Sequence, residues 1–324
     1  MNRRSFLMAS GVAALGSPLM AAAQNHPNIV VWSGFPAGGL GDQISRPLIE
    51  QLRGNYPQAL IFDAKPGAGG RIAASFVKRS APDGNNLLQC PAGVLTLHPH
   101  VFTNLGYEPL KDFVPVSALC NFTYVMTAGP GLPSEITTVE QYLKWAAANP
   151  KLANYGIPSR GNALHMAGML LSKHSGVAME PIPFKGGGPL LTNLLGGQVP
   201  VSFNVISEVL PHIRSGKLRA LAVTSPERWQ ALADTPTLRE LGYKDIAFTE
   251  WLGWFAPVDT PRAKLEGLNA AVQAQMARPE MQQVLEKNAL QRMMGSVEAL
   301  QTRVRDDYSY WKDVVAFTGF TPEE

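Results

Sequence analysis

Ile29-Val30-Val31-Trp32 is a short apolar run that ends in Gly34-Phe35-Pro36-Ala37-Gly38-Gly39-Leu40-Gly41-Asp42, and an amphipathic pattern from Gln43 to Leu52 follows. An unbroken apolar run of this length reads as a buried strand. With a glycine-rich turn and a helical period behind it, the stretch is a strand–turn–helix unit, the opening of an α/β fold. The unit recurs. Leu60-Ile61-Phe62 leads into Lys65-Pro66-Gly67-Ala68-Gly69-Gly70 and a helix from Arg71 to Arg79, and Leu87-Leu88-Gln89 leads into Pro91-Ala92-Gly93. Tyr155 leads into Pro158-Ser159-Arg160-Gly161-Asn162 and a helix from Leu164 to Lys173. A short strand near Pro183 runs into Lys185-Gly186-Gly187-Gly188-Pro189 and a helix through Leu195. Val199 to Phe203, ending at Asn204, and Leu218 to Val223 are further strands; helical periodicity over Leu265 to Met276 and Glu298 to Trp311 follows. This alternation predicts parallel sheets with helices on both faces.

Two longer apolar stretches, Phe122 to Thr127 and Trp251 to Val258, are placed to connect one sheet to the other. If they run side by side, residues 28–122 and 252–324 form a discontinuous first domain and 123–251 a second one inserted into it. The length fits two domains better than one core. Arg3-Arg4-Ser5-Phe6-Leu7, a weakly apolar run to Met20, and Ala21-Ala22-Ala23 before Gln24 together read as a secretory signal peptide over 1–23. Its arginine pair fits twin-arginine export, with the general route as the alternative. The mature protein is expected to be soluble in the periplasm.

Hydrophobic residues make up 45% and charged residues 16%, which suits a well-buried globular fold. Removing Arg3 and Arg4 takes Lys+Arg from 28 to 26 against 25 acids, a formal charge of +1. That balance argues against nucleic acid or an anionic membrane as a partner. Cys90 and Cys120 would sit where a disulfide persists, and whether they pair depends on a separation that sequence does not give. The six histidines show no metal-ligand spacing, so neither metal nor cofactor is expected.

Each glycine-rich turn follows a strand and opens a helix, where unpaired backbone N–H groups and the positive dipole end hold an anion without a charged side chain. Glycine allows close approach and positive φ there. No Gly-x-Ser-x-Gly elbow, phosphate-loop Gly-Lys-Ser/Thr or His-Glu-x-x-His occurs, so no catalytic set assembles and an enzyme is not expected. Asp42 reads as a bracket on the first helix and His165 as a packed or capping residue. Trp32, Trp251 and Trp254, at strand positions, read as core rather than as the wall of an aromatic ligand.

These loops resemble a known family. Gly34-Phe35-Pro36-Ala37-Gly38-Gly39 with Asp42, the Lys65 to Gly70 loop with Ala81-Pro82-Asp83-Gly84, and Pro109-Leu110-Lys111-Asp112-Phe113 resemble blocks of the tripartite tricarboxylate transporter substrate-binding proteins, the Bug family. Asn154-Tyr155-Gly156, Lys185-Gly186, Leu194-Leu195-Gly196-Gly197-Gln198-Val199 and Gly216 to Thr224 continue the resemblance in the same order along nearly all of the mature chain. It implies a two-lobed periplasmic-binding-protein fold, type II-like, with two α/β domains and a two-strand crossover at the hinge. It also implies a small carboxylate, mono- or dicarboxylate and aromatic ones included, closed between the lobes of a monomer. The partner it implies is a pair of membrane transporter subunits, or a membrane sensor.

Carried over by position, the resemblance implies ligand contacts at Phe35, Ala37, Gly38, Gly39 and Asp42 in the first lobe. In the second it implies Gly161, Asn162, Ala163 and His165, with Lys185, Gly186 and Asn204 nearby. The chain departs from the family at Asn162-Ala163, where Ser-Thr is common, and at Pro91-Ala92, where Thr-Ser is usual; Ala92 thus brings a methyl to the cleft. Asn204 stands in place of Asp. Arg160 stands in place of a small polar residue, and it reads either as a fork onto a second ligand carboxylate or as a solvated rim charge.

Overall fold

A computed structural model describes residues 27–324, so the signal-peptide segment 1–23 lies outside the described residues. In chain order the first lobe opens with β1 (Ile29–Ser33), α1 (Leu40–Leu52), β2 (Leu60–Ala64), α2 (Arg71–Lys78), β3 (Asn86–Pro91), the short helices α3 (Gly93–Thr96), α4 (His98–Val101) and α5 (Pro109–Asp112), and β4 (Phe113–Phe122). The second comprises β5 (Tyr124–Ala128), α6 (Val139–Ala148), β6 (Asn154–Ile157), α7 (Ala163–Ser175), β7 (Glu180–Pro183), α8 (Gly187–Leu195), β8 (Val201–Val205), α9 (Ile206–Arg214) and β9 (Arg219–Val223). The chain then returns through β10 (Glu250–Pro257), α10 (Arg262–Met276), α11 (Pro279–Lys287), β11 (Gln291–Arg292) and α12 (Val297–Thr318).

The strands form a six-stranded sheet, β11-β4-β10-β3-β1-β2, and a five-stranded sheet, β7-β6-β8-β5-β9. Neither is wholly parallel, contrary to the expectation from sequence. β10 runs antiparallel to β3 and β4, and β5 runs antiparallel to β8 and β9. The reason is the crossover. β1 to β4 and β6 to β9 run toward the interlobe side, but β5 and β10 each arrive from the other lobe and therefore start at that side and run away from it; the two-residue β11 also runs antiparallel to β4. The strands lying side by side are β4 and β10, from Phe122 opposite Glu250 to Phe113 opposite Pro257; β5 pairs within the second sheet instead. The chain switches sheets at Thr123, between β4 and β5.

Apolar packing holds the crossover. Trp251 and Trp254 are fully buried core residues, as their strand positions suggest; Trp32 is half-buried edge-on to Phe76. Each fully buried large side chain contributes roughly 1.5–3 kcal/mol. Trp254 Nε1 donates to Gln89 Oε1 at 3.0 Å, which ties β10 to β3 beneath the first loop. Cys90 and Cys120 are free and buried. They flank β10, opposite Gly253 and Leu252, so two interstrand steps of about 4.8 Å separate them and no disulfide can close.

The last helix reaches further than a first-lobe element would. His100 packs on Tyr308 in the first lobe, while Phe317 stacks on His174 and Phe320 packs edge-on to His165 in the second. The tail then binds back to the first lobe, where Glu323 N donates to Val101 O and Thr103 N donates to Glu323 O, both at 2.8 Å.

Candidate functional site

Between the two sheets lies a cavity of about 810 Å³ lined from both lobes. Its first-lobe wall is the loop after β1. Ser33 Oγ accepts from Phe35 N at 3.2 Å, which turns the chain out of the strand, and Gly34 must be glycine because a Cβ there would overlap the backbone of Gly70. Gly38 takes φ +86° and donates its N–H to Asp42 Oδ2 at 3.0 Å. Asp42 also accepts from Arg46 Nε at 2.7 Å, so its carboxylate folds back on the loop rather than into the cavity. Gly39 then caps α1, whose first residues Leu40 and Gly41 line the cavity.

Asn162 caps α7: its Oδ1 accepts from His165 N at 2.9 Å and its Nδ2 donates to Ser159 Oγ at 3.0 Å. Both ends of this amide are thus engaged within the loop. Gly186, at φ +102°, caps α8, and Gly186 to Leu190 form the adjoining wall. Three helices of nine or more residues therefore point their N-termini into one cavity, α1 from the first lobe and α7 and α8 from the second. The first N–H groups of each helix have no partner inside it, and each helix adds a partial positive charge there.

Of the residues the sequence singles out, Phe35, Ala37, Gly39, Asn162, Ala163, Lys185, Gly186 and Asn204 line the cavity. Gly38, Asp42, Ala92, Arg160, Gly161 and His165 do not. Ala92 is buried behind the wall, its N–H bonded to Trp251 O at 2.9 Å. Gly161 packs against the first lobe, where an added Cβ would come within 3.3 Å of Val101 and 3.4 Å of Phe102. Its N–H donates to His165 Nδ1 at 3.2 Å. Burial, helped by Arg160, lowers the His165 pKa to about 4, which keeps the ring a neutral acceptor near pH 7. Arg160 Nε binds Glu323 Oε1 at 2.6 Å outside the cavity, so of the two readings this geometry matches the rim charge.

Sequence reasoning missed the residues nearest the crossover. Glu250, the first residue of β10, is 3% exposed yet lines the cavity. Its Oε1 accepts from Gly93 N at 2.7 Å, and its Oε2 accepts from Tyr124 Oη at 2.8 Å. Burial pushes its pKa up to about 7, with the Tyr124 and Gly93 bonds opposing the rise. The same burial, together with Glu250, raises the Tyr124 hydroxyl well above its ordinary value. Glu208, in the first turn of α9 with its carboxylate at Gly187 of α8, and the buried Gln89, beneath Gly41 of α1, also line the cavity. An acid abutting the apolar run Trp251 to Val258 is the one sequence signal that could have drawn attention to Glu250. Phe122, Phe184, Phe203 and Leu252 make the remaining walls apolar. Among the described residues, no group of acids, histidines and cysteines could hold a metal, and no helix is long and apolar enough to cross a membrane.

The family model for the tripartite tricarboxylate transporter family receptor matches residues 44–320. The chain is 28% identical to Protein BugT of Bordetella pertussis over 315 residues, 97% of this chain and 95% of that one. Among solved structures it is similar to R. palustris Rpa4515 with adipate, with TM-score 0.85 and 27% identity over 93% of this chain and all of that one. It is likewise similar to MatC from Rhodopseudomonas palustris with bound malate, with TM-score 0.80 and 28% identity over 89% and 99% of the two chains.

Proposed function

Because this chain belongs to the tripartite tricarboxylate transporter receptor family, whose members are solute-binding receptors rather than enzymes, we propose that it captures a small mono- or dicarboxylate between its lobes. It does so in the periplasm and passes the ligand to membrane subunits of a transporter. The observation that carries this reading is the convergence of three helix N-termini, from both lobes, on one cavity. Donors and partial positive charge fixed by the backbone stabilise an anion there, with Lys185 on the same cavity wall. An anion bonded to α1 on one side and to α7 and α8 on the other links the lobes, so binding favours the closed arrangement. The apolar walls suit the hydrocarbon body of such a ligand, aliphatic or aromatic. The adipate and malate bound by the two structural relatives have this chemistry.

A thermal-shift screen of the mature protein against carboxylates tests the proposal. A ligand at a hundred times its dissociation constant adds about 2.7 kcal/mol of stability, which is readily seen. Methyl esters of the hits should give no shift, since they lose the charge that the helix termini recognise. A panel in which no acid shifts the transition, or in which the esters match the acids, overturns it.

A further inference from the structure

The two ends of the cavity offer opposite hydrogen-bonding character. The heads of α1 and α7 present donors, whereas the crossover and the adjoining head of α8, where Glu208 stands, present acceptors. There the N–H that Gly93 turns toward the cavity is occupied by the carboxylate of Glu250, and Tyr124 directs its hydroxyl at the same carboxylate. Glu208, exposed and lining the same cavity, has its carboxylate at the head of α8, filling the space a Cβ on Gly187 would need. Its charge reaches Tyr124. Asn204, 1% exposed on the adjoining wall, donates through Nδ2 to Ser202 Oγ at 2.6 Å and leaves its Oδ1 buried with no protein partner. Arg160 is paired with Glu323 outside the cavity, and the basic side chain on the cavity wall is Lys185 of the loop before α8.

We infer that this acceptor-lined end selects a monocarboxylate whose far end carries a hydrogen-bond donor, an amine or a hydroxyl, and that Glu208 and Glu250 discriminate against a second ionised carboxylate. The inference rests on the carboxylate-receptor reading and narrows it. An ammonium or hydroxyl placed at this end pairs with Glu208, Glu250 or Asn204 Oδ1. A carboxylate placed there meets Glu208 and the buried Glu250, which water screens poorly, and brings no proton to share.

Titration calorimetry on the mature protein at about pH 8 tests this with ω-hydroxyhexanoate, ω-aminohexanoate and adipate, and with the matching sets one and two carbons shorter. In the length that fits, the hydroxy or amino acid should bind at least about tenfold more tightly than the dicarboxylate, the scale of one hydrogen bond to a charged group. Glu208→Gln should bring the ratio to within about threefold by admitting the dicarboxylate. Glu250→Gln, which can still bond Gly93 and Tyr124, is the second variant and should narrow the ratio in the same direction. A dicarboxylate that binds the wild type as well as its donor-bearing partner, or a ratio that neither variant moves, overturns the inference while leaving the carboxylate reading intact. If none of these acids and no other carboxylate binds, both fall together.

Discussion

Arg160 and Glu323, 163 residues apart in sequence, meet as an ion pair of 2.6 Å that joins the two lobes. Arg160 belongs to the loop before α7, whereas the backbone of Glu323 is bonded to Val101 and Thr103 of the first lobe. The side chains are 51% and 35% exposed, so the pair contributes at most about 1 kcal/mol. Arg160→Ala should therefore weaken ligand binding by less than about fivefold, and equally for a monocarboxylate and the dicarboxylate of the same length. Calorimetry on both ligands checks it. A selective loss of the dicarboxylate would mean that the guanidinium leaves Glu323 for the ligand.

Glu250 sets a pH dependence of stability. Its pKa rises from 4.5 to about 7 in the folded protein, so folding retains a proton that the unfolded chain releases. Below about pH 4.5 the group is protonated in both states and exerts no effect; between there and about pH 7 the fold loses stability, by roughly 3 kcal/mol in all. The groups facing it are Tyr124 from β5, Cys90 from β3, and Arg303 and Asp307 from α12. Glu250→Gln keeps an acceptor for Gly93 and a polar partner for Tyr124 but cannot ionise. Its Tm should exceed that of the wild type at pH 8 and match it near pH 4. A difference that is the same at both pH values would show that ionisation of Glu250 is not its cause.

The repeated strand–turn–helix units were legible because each apolar run stops at a glycine-rich turn, and those turns are the loops that line the cavity. β4 was not legible as a strand: Phe113 to Phe122 interleaves Pro115, Ser117 and Asn121 with apolar residues and has no turn before β5. Strand direction was equally hidden, since it depends on which lobe the chain arrives from rather than on any local pattern. α6 carried a signal that went unread, the Thr138 to Gln141 capping box, with Gln141 N bonded to Thr138 Oγ1 at 3.2 Å. Within the site, motif position identified the loops but not which way their side chains turn. Asp42, Gly161 and His165 bond to their own loops, and Glu250 was invisible because its partners lie 126 and 157 residues away.

Two adjacent glycines should separate fold from binding. Gly38 occupies φ +86° with open space where a Cβ would sit, so Gly38→Ala has room but adopts a left-handed backbone costing roughly 1–2 kcal/mol. Gly39 has φ −74° and ψ 180°, a conformation open to any residue, and an added Cβ would only touch Pro36 O at 3.5 Å. The strain belongs to Gly38 and the cavity surface to Gly39. Thermal melts should show a lowered Tm for Gly38→Ala and an unchanged one for Gly39→Val. Gly39→Val, with a branched side chain at the head of α1, should instead lower carboxylate affinity by more than about tenfold. Unchanged affinity in Gly39→Val would remove the α1 terminus from the binding site.

The two thiols give the last prediction, which concerns redox. Cys90 lies in β3 and Cys120 in β4, with β10 between them, and their side chains pack into different apolar clusters. Bridging them would require β10 to leave the sheet, which would break its pairing with both neighbours and expose Trp251 and Trp254. Reactivity is suppressed as well. Burial pushes the Cys120 thiol up to about 12, and burial aided by the Glu250 charge raises Cys90 well above its ordinary value. Since the thiolate is the attacking species, neither group should react while the protein is folded. The native protein prepared without reductant should keep both thiols, take up no iodoacetamide at neutral pH, and take up two equivalents once denatured. Its Tm should be the same with and without dithiothreitol. A mass two units lower before reduction, or a Tm that falls when dithiothreitol is added, would show a disulfide and with it a different arrangement of β3, β10 and β4.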